Sequence, residues 1–204
     1  MNEAVAEPVT QTPPPISEMT VWTIPNVITM SRLVLAFVVF GLISAGNLWL
    51  TSAVLFVIAV STDYVDGYLA RKWNQRTVLG RILDPFVDKI IVCGAFLFLQ
   101  NVPASHICAW FNVILISREM FITSLRGFLE QRGIDFKAEW SGKIKMVLQS
   151  IAVPVCLVAC DEKFAGINWL VTLQMGLIYG VIIVTVYSGL EYIVRAAVAL
   201  RKMA

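Results

Sequence analysis

Six apolar stretches, each about as long as a membrane-crossing helix, constrain this chain more than any other feature of its sequence. About 20 helical residues cross about 30 Å of hydrocarbon. The stretches lie at 24–45, 48–73, 80–100, 105–129, 141–160 and 169–198, with short polar breaks between them. Open sheet edges are not satisfied in lipid, which argues against strands. The pattern therefore predicts an all-α integral membrane bundle of six transmembrane helices.

The distribution of basic residues predicts the orientation of this bundle. Basic residues collect at 71–81, 126–145 and 195–202, whereas the loops at 44–47, 100–106 and 161–168 hold only Lys163. The positive-inside rule places the basic end in the cytoplasm. With an even number of spans, both termini are expected in the cytoplasm and the protein is expected in the cell (inner) membrane.

The first 20 residues have a different composition from the rest. They contain three glutamates and the run Pro13-Pro14-Pro15, but no Lys or Arg. They lack the basic start and apolar centre of a secretory signal. We expect residues 1–20 to be a disordered tail and residues 21–204 to form one transmembrane domain.

The overall charge and the cysteines exclude two classes of function. A net charge of +2, with basic residues at the ends of apolar stretches, does not predict a nucleic-acid-binding face. Four cysteines, none in a CxxC pair, and one histidine offer too few ligands for a structural zinc site.

Four aspartates interrupt or border the apolar stretches: Asp63, Asp66, Asp84 and Asp88. An ionised Asp at the centre of a membrane helix costs about 2.5–3.5 kcal/mol. Bound cations are the simplest compensation, because carboxylate oxygens are the preferred ligands of Mg²⁺ and Mn²⁺.

The spacing places these carboxylates on two helical faces that also carry small residues. The faces comprise Asp63, Asp66, Gly67 and Ala70 on the second span, and Gly80, Asp84 and Asp88 on the third. A short loop joins the spans, so we expect antiparallel neighbours whose acidic faces form a cage for two metal ions at the cytoplasmic end. The alternative is that the aspartates pair with Arg71, Arg81 and Lys89 and only stabilise the bundle. The glycines could likewise serve close helix packing.

The pattern Asp63-x2-Asp66-Gly67-x2-Ala70-Arg71-x8-Gly80-x3-Asp84-x3-Asp88 resembles, without departure, the signature of the CDP-alcohol phosphotransferase family. The six-span bundle of that family covers nearly everything after the tail. The resemblance implies a metal-dependent, homodimeric enzyme that transfers the phosphatidyl group of CDP-diacylglycerol to a small alcohol.

The resemblance also implies roles for individual residues. It assigns two Mg²⁺ or Mn²⁺ ions to Asp63, Asp66 and Asp84, with Asp88 contributing to the site and acting as the general base for the acceptor hydroxyl. The residues that it places around the CDP-linked donor are Asp66, Gly67, Ala70, Arg71 and Gly80.

Three further stretches resemble bacterial phosphatidylglycerophosphate synthases. They are 24–32, then Ser117-Arg118-Glu119 followed by Leu125-Arg126, and Gly142-Lys143-Ile144-Lys145. Met146 departs from the Thr that often follows. The resemblance implies glycerol 3-phosphate as the acceptor.

The cations in these stretches suit an acceptor that carries a phosphate, because Arg makes bidentate phosphate contacts and Lys supplies a point charge. The predicted phosphate-binding residues are Arg118, Arg126, Lys143 and Lys145. Arg118 lies in an apolar span, where a cation needs an anionic partner. That partner is either the acceptor phosphate or, alternatively, Glu119 or a nearby aspartate. Membrane anchoring is the alternative role for Lys143 and Lys145.

Asn26 and Arg32 are candidates for the border of the acceptor site. A turn at Asn26 and a snorkelling Arg32 explain the two residues nearly as well.

Other functions stay open at this point. A cardiolipin synthase of the same family would use phosphatidylglycerol, and a phosphatidylinositol-phosphate synthase would use another phosphorylated polyol. A membrane prenyltransferase would also use Asp-rich motifs and Mg²⁺, but with a differently spaced aspartate pair. A cation channel or transporter lined by the aspartates would pass metal ions without releasing CMP.

Overall fold

The computed structural model describes residues 24–72, 78–132, 140–164 and 166–201. Side chains are described throughout these ranges except at 24–25, 63–72, 78–79 and 81–82. The α-helices in them are α1 Ile24–Ala45, α2 Trp49–Lys72, α3 Val78–Leu99, α4 Ala109–Gln131, α5 Trp140–Ala159 and α6 Asn168–Arg201. The predicted all-α class is confirmed for the described chain. The predicted tail at 1–20 lies outside the described residues.

The helix bounds follow the apolar stretches closely, and the start of α4 differs most. Position 105 was the predicted start, but Pro103–Ser105 forms a 3-10 turn and α4 begins at Ala109. His106 adopts a left-handed conformation with φ 57° and ends that turn. The side-chain amide of Gln174 in α6 donates to the carbonyls of Ala104 and Ser105 at 3.0 and 2.9 Å. A polar contact from a distant helix therefore fixes a turn that the apolar pattern does not reveal.

The apolar core occupies one end of the bundle. It is formed by the later halves of α1, α3 and α5 and the earlier halves of α2, α4 and α6, as an up-and-down arrangement requires. Its largest side chains include Phe40, Phe56, Phe96 and Phe111. The rings of Phe96 and Phe111 meet edge to face with centroids 4.9 Å apart, a favourable geometry for aromatic pairs.

The opposite end of the bundle buries polar and charged side chains. They are Asn26, Thr29, Arg32, Glu119, Lys145, Gln149, Thr185 and Ser188. Burying such groups is costly unless they are paired or hydrogen-bonded. A functional site is therefore expected at this polar end, which is where the acidic motif begins on α3.

Helix α1 packs against two other helices. It contacts both α2 and α3 extensively, whereas direct contact between α2 and α3 is slight. We expected α2 and α3 to be antiparallel neighbours; the described residues of the two helices are in contact, and α1 packs against both of them. A Cβ at Gly94 of α3 would lie 2.3 Å from Cζ of Phe40, so the missing side chain allows α1 and α3 to approach.

Three helical segments in the described chain are long and apolar enough to cross a membrane: Asn26–Ala45, Trp140–Ala159 and Asn168–Arg201. The described side chains of α2 add a shorter apolar stretch, Trp49–Thr62. Large apolar side chains also point outward on every helix, among them Val34, Val54, Phe86, Met120, Val147 and Ile183. Soluble proteins rarely expose so much contiguous apolar surface. These features indicate a membrane protein, and α3 and α4 carry charged residues of the polar end.

Candidate active site

A hydrogen bond between α1 and α3 sets the position of one predicted metal ligand. The Thr29 hydroxyl donates to Oδ1 of Asp84 at 2.7 Å. Thr29 is 1% exposed, while Asp84 is exposed at the polar end. The carboxylate thus has one oxygen fixed by α1 and retains lone pairs for a cation. Sequence reasoning missed Thr29, although its position three residues from both Asn26 and Arg32 places all three on one face of α1.

The other predicted donor-site residues are only partly described. On α3, Gly80 is buried and Asp88 is half-buried, one turn beyond Asp84. On α2, the backbone is helical through Lys72, but the side chains of Asp63, Asp66, Ala70 and Arg71, and the surroundings of Gly67, lie outside the described set. Among the side chains that are described, no three His, Cys, Asp or Glu residues cluster. That set omits half of the acidic motif, so the two-metal cage stays a prediction.

The described carboxylates nevertheless fit a hard divalent cation. Asp84 is accessible, and its described hydrogen bond comes from a neutral hydroxyl. Metal-binding carboxylates commonly have such supporting hydrogen bonds. Mg²⁺ and Mn²⁺ favour oxygen ligands of this kind.

Lys89, one of the proposed partners of the aspartates in the alternative interpretation, makes its described hydrogen bond with α4. Its ammonium donates to the hydroxyl of Thr123 on α4. That hydroxyl donates in turn to the main-chain carbonyl of Glu119 at 2.7 Å. Lys89 therefore links the acidic motif on α3 to α4. The side chains of the other proposed partners, Arg71 and Arg81, are outside the described set.

Two of the predicted phosphate-binding cations meet at Glu119. Nη1 of Arg118 lies 3.3 Å from Oε1 of Glu119, and Nζ of Lys145 on α5 donates to the same oxygen. Lys145 and Glu119 are 3% and 8% exposed. Glu119 is thus the partner that we considered as the alternative to a phosphate for Arg118.

This ion pairing leaves capacity for another anion. A guanidinium has five N–H donors, of which Arg118 uses one on Glu119 and one on Oγ of Ser188, the latter at 3.0 Å. A Lys ammonium has three donors, and the described bond of Lys145 to Glu119 uses one. Two cations around one carboxylate also leave an excess positive charge. Glu119 therefore holds the cations together without saturating them.

The remaining predicted cations, Arg126 and Lys143, lie in two different settings. Arg126 faces the ring of Tyr192 on α6, with its guanidinium carbon 6.0 Å from the ring centroid. It lies two turns beyond Arg118 on α4. Lys143 is exposed, and its ammonium lies 5.4 Å from the ring centroid of Trp140. Lys145 thus points into the bundle, whereas Lys143 lies against an exposed tryptophan.

Asn26 and Arg32 lie in the protein interior. They are buried on the same face of α1 as Thr29, and Arg32 is only 2% exposed. A snorkelling arginine would extend to the bundle surface. The burial of Arg32 therefore argues against that interpretation, and Arg32 lies on α1, the helix whose Thr29 contacts the acidic motif.

An all-α bundle with acidic α3, a basic α4–α5 cluster and a shared polar end suits a membrane transferase that acts on phosphate-containing lipids. Residues 22–190 match the family model described as CDP-alcohol phosphatidyltransferase. The chain belongs to this family, which confirms the resemblance drawn from the spacing of the aspartates.

Several relatives share one name, CDP-diacylglycerol–glycerol-3-phosphate 3-phosphatidyltransferase. The protein from Bacillus subtilis (strain 168) is 37% identical over 150 residues, which cover 67% of this chain and 77% of the relative. The protein from Salmonella paratyphi A is 31% identical over 185 residues, covering 86% and 95%. The protein from Sodalis glossinidius is 31% identical over 153 residues, covering 72% and 79%.

Proposed function

We propose that this protein transfers the phosphatidyl group of CDP-diacylglycerol to glycerol 3-phosphate, giving phosphatidylglycerophosphate and CMP. The observation that carries the proposal is the pairing of Arg118 and Lys145 around Glu119, with donors to spare, at the end of the bundle that holds Asp84. An acceptor that carries its own phosphate needs such a cluster. The relatives are named for this reaction.

The donor is held on the α2–α3 side of the polar end. Asp63, Asp66 and Asp84 would hold two Mg²⁺ or Mn²⁺ ions, with Asp88 completing the set. Such ions, when bound, neutralise the pyrophosphate and the charge that develops on departing CMP. The residues that border the donor are Asp66, Gly67, Ala70, Arg71 and Gly80.

Asp88 acts as the general base in this proposal. The hydroxyl oxygen of the acceptor forms a bond to the phosphorus of the phosphatidyl group, and the bond from that phosphorus to the CMP oxygen breaks. The hydroxyl proton passes to a carboxylate oxygen of Asp88, which needs only hydrogen-bond reach of the acceptor. Its half-buried position, one turn from exposed Asp84, suits a base that is shielded from bulk water.

The acceptor phosphate binds on the α4–α5 side. Arg118 and Lys145 supply the principal contacts, and Arg126 extends the positive surface along α4. Lys143 attracts the acceptor at longer range from its exposed position. Asn26 and Arg32 border the site from α1. Lys89 and Thr123 connect the two sides, which fixes the acceptor relative to Asp88.

We also propose that all six helices cross the cell (inner) membrane, with both termini in the cytoplasm and two copies forming a homodimer. The apolar outward faces of the helices support their insertion in the bilayer. The charged residues in α3 and α4 are compatible with insertion because they collect at one end of the bundle. Cysteine accessibility to membrane-impermeant reagents tests the topology, and cross-linking in the membrane tests the dimer.

Release of CMP by the purified protein tests the proposed reaction. The protein, in nanodiscs with CDP-diacylglycerol and Mg²⁺ or Mn²⁺, is offered glycerol 3-phosphate, phosphatidylglycerol, inositol phosphate or glycerol. We expect CMP release with glycerol 3-phosphate and almost none with unphosphorylated glycerol. A preference for phosphatidylglycerol or inositol phosphate would identify another member of the family. Metal flux without CMP release would favour a channel or transporter.

A second measurement tests the acceptor pocket directly. Arg118→Ala should raise the KM for glycerol 3-phosphate at least tenfold, the equivalent of one charge-assisted hydrogen bond of about 1.5–3 kcal/mol. The KM for CDP-diacylglycerol should stay unchanged. Arg132→Ala is the matched control, because Arg132 is exposed at the end of α4 and lies over the ring of Phe128. An unchanged acceptor KM in Arg118→Ala would contradict the pocket.

A further inference from the structure

Arg118 is held from two sides, and one of them is a segment of α6 that carries no charged motif. Its Nη1 donates to Glu119 on its own helix, and its Nη2 donates to Oγ of Ser188 on α6 at 3.0 Å. The two contacts engage the two terminal nitrogens of a planar group. A guanidinium held at both of these nitrogens cannot rotate about its long axis without losing one bond.

The directions of the hydrogen bonds at the Ser188 hydroxyl suit this contact. Its single proton is directed to the main-chain carbonyl of Thr185, 3.2 Å away on the preceding turn. Arginine only donates, so the oxygen of Ser188 must accept from it. With its proton on Thr185, the hydroxyl presents its lone pairs to Arg118. Ser188 is also 3% exposed, so water competes little for the oxygen.

The next residue, Gly189, leaves space for the stem of Arg118. A Cβ at position 189 would lie 3.2 Å from Cγ and 3.8 Å from Nε of Arg118. A contact of 3.2 Å is tighter than ordinary van der Waals packing, so a side chain here would require the arginine stem to shift by a few tenths of an ångström. Gly176 and Gly180 on the same helix have no comparable contact with a charged side chain. The close approach is thus specific to the turn that carries Ser188.

We infer that Ser188 and Gly189 are positioning residues that set the orientation of Arg118 for the phosphate of the acceptor. They do so without touching the acceptor themselves. This inference rests on the proposed role of Arg118 in binding glycerol 3-phosphate. The inference gives α6 a part in acceptor specificity, because a phosphate binds the N–H donors of a guanidinium best when the guanidinium is already oriented.

Three variants test this inference. Ser188→Ala removes the acceptor oxygen and changes little else, and we expect about a tenfold increase in the KM for glycerol 3-phosphate, with kcat and the KM for CDP-diacylglycerol retained. Ser188→Thr keeps the hydroxyl and should restore an acceptor KM close to that of the wild type. Gly189→Ala should raise the acceptor KM several-fold by displacing Cγ. Gly176→Ala is the matched control on the same helix, since a Cβ there meets nothing within 4 Å.

A double-mutant cycle separates positioning from general damage. If Ser188 acts through Arg118, adding Ser188→Ala to Arg118→Ala should leave the acceptor KM where Arg118→Ala alone puts it. Independent, additive effects would overturn the inference. The inference would also be overturned if Arg118→Ala raised the acceptor KM but Ser188→Ala and Gly189→Ala both left it unchanged. That result would leave the phosphate pocket itself in place. An unchanged acceptor KM in Arg118→Ala would overturn the pocket and the inference together.

Discussion

Replacing Glu119 by Gln removes a charge from the centre of the basic cluster while keeping the shape of the side chain. Oε1 of Glu119 accepts from both Arg118 and Lys145. An amide oxygen could still accept hydrogen bonds, but two cations would face each other without an anion. The expected result is a less stable protein whose stability depends on added phosphate.

The size of the effect follows from the geometry. At 3.3 Å, the distance between Nη1 of Arg118 and Oε1 of Glu119, the Coulomb attraction is about 5 kcal/mol at an effective dielectric constant of about 20. Desolvation offsets part of this attraction. Removing one partner from a buried ion pair costs about 3–5 kcal/mol. We take a loss of stability of about 3 kcal/mol, because the cluster lies at the edge of the polar end. The melting temperature should then fall by about 6–12 °C.

Thermal unfolding in detergent, with and without inorganic phosphate, measures this prediction. Phosphate should raise the melting temperature of Glu119→Gln more than that of the wild type, because an external anion replaces the missing carboxylate. The matched control is Glu130→Gln, an exposed glutamate on the same helix, which should melt like the wild type. An unchanged melting temperature in Glu119→Gln, with no additional stabilisation by phosphate, would refute the argument.

Three further variants test other parts of the molecule. Asp66→Asn should abolish CMP release while the protein still inserts and folds, and retained turnover would contradict the two-metal cage. Thr29→Val removes the hydroxyl that holds Asp84, so a Mn²⁺ titration of activity should show a requirement about tenfold higher; Thr29→Ser should behave like the wild type. Gly94→Ala places a Cβ 2.3 Å from Cζ of Phe40 and should destabilise the protein by about 1–3 kcal/mol; a melting temperature equal to that of the wild type would contradict tight packing of the Phe40 ring against α3 at Gly94.

The helices were predictable because the signals for them are local. An apolar run of about 20 residues reports a membrane-length helix wherever it packs. The predicted and observed bounds of the first helix, 24–45, are the same. The beginning of α4 was misjudged because Gln174, some 70 residues away, holds the turn before it. No local pattern carries that information.

The acidic motif was readable for a similar reason. Repeated spacing along a helix places Asp84 and Asp88 on one face regardless of tertiary structure. The spacing alone could not show that α1 contacts both α2 and α3. Consequently Thr29 was not recognised as a partner of Asp84, although it lies on the same face of α1 as Asn26 and Arg32.

The sequence by itself determined an all-helical chain, the family to which it belongs and the residues that are too polar for an apolar helix. The tertiary structure decided which of those polar residues meet: Arg118 and Lys145 share Glu119, Lys143 lies outside, and Ser188 holds the guanidinium from α6. The physical reason is the difference between local and long-range constraints. Helical periodicity fixes the face on which a residue lies, but helices that are apolar on all sides can pack in many ways, and only their packing brings distant faces together.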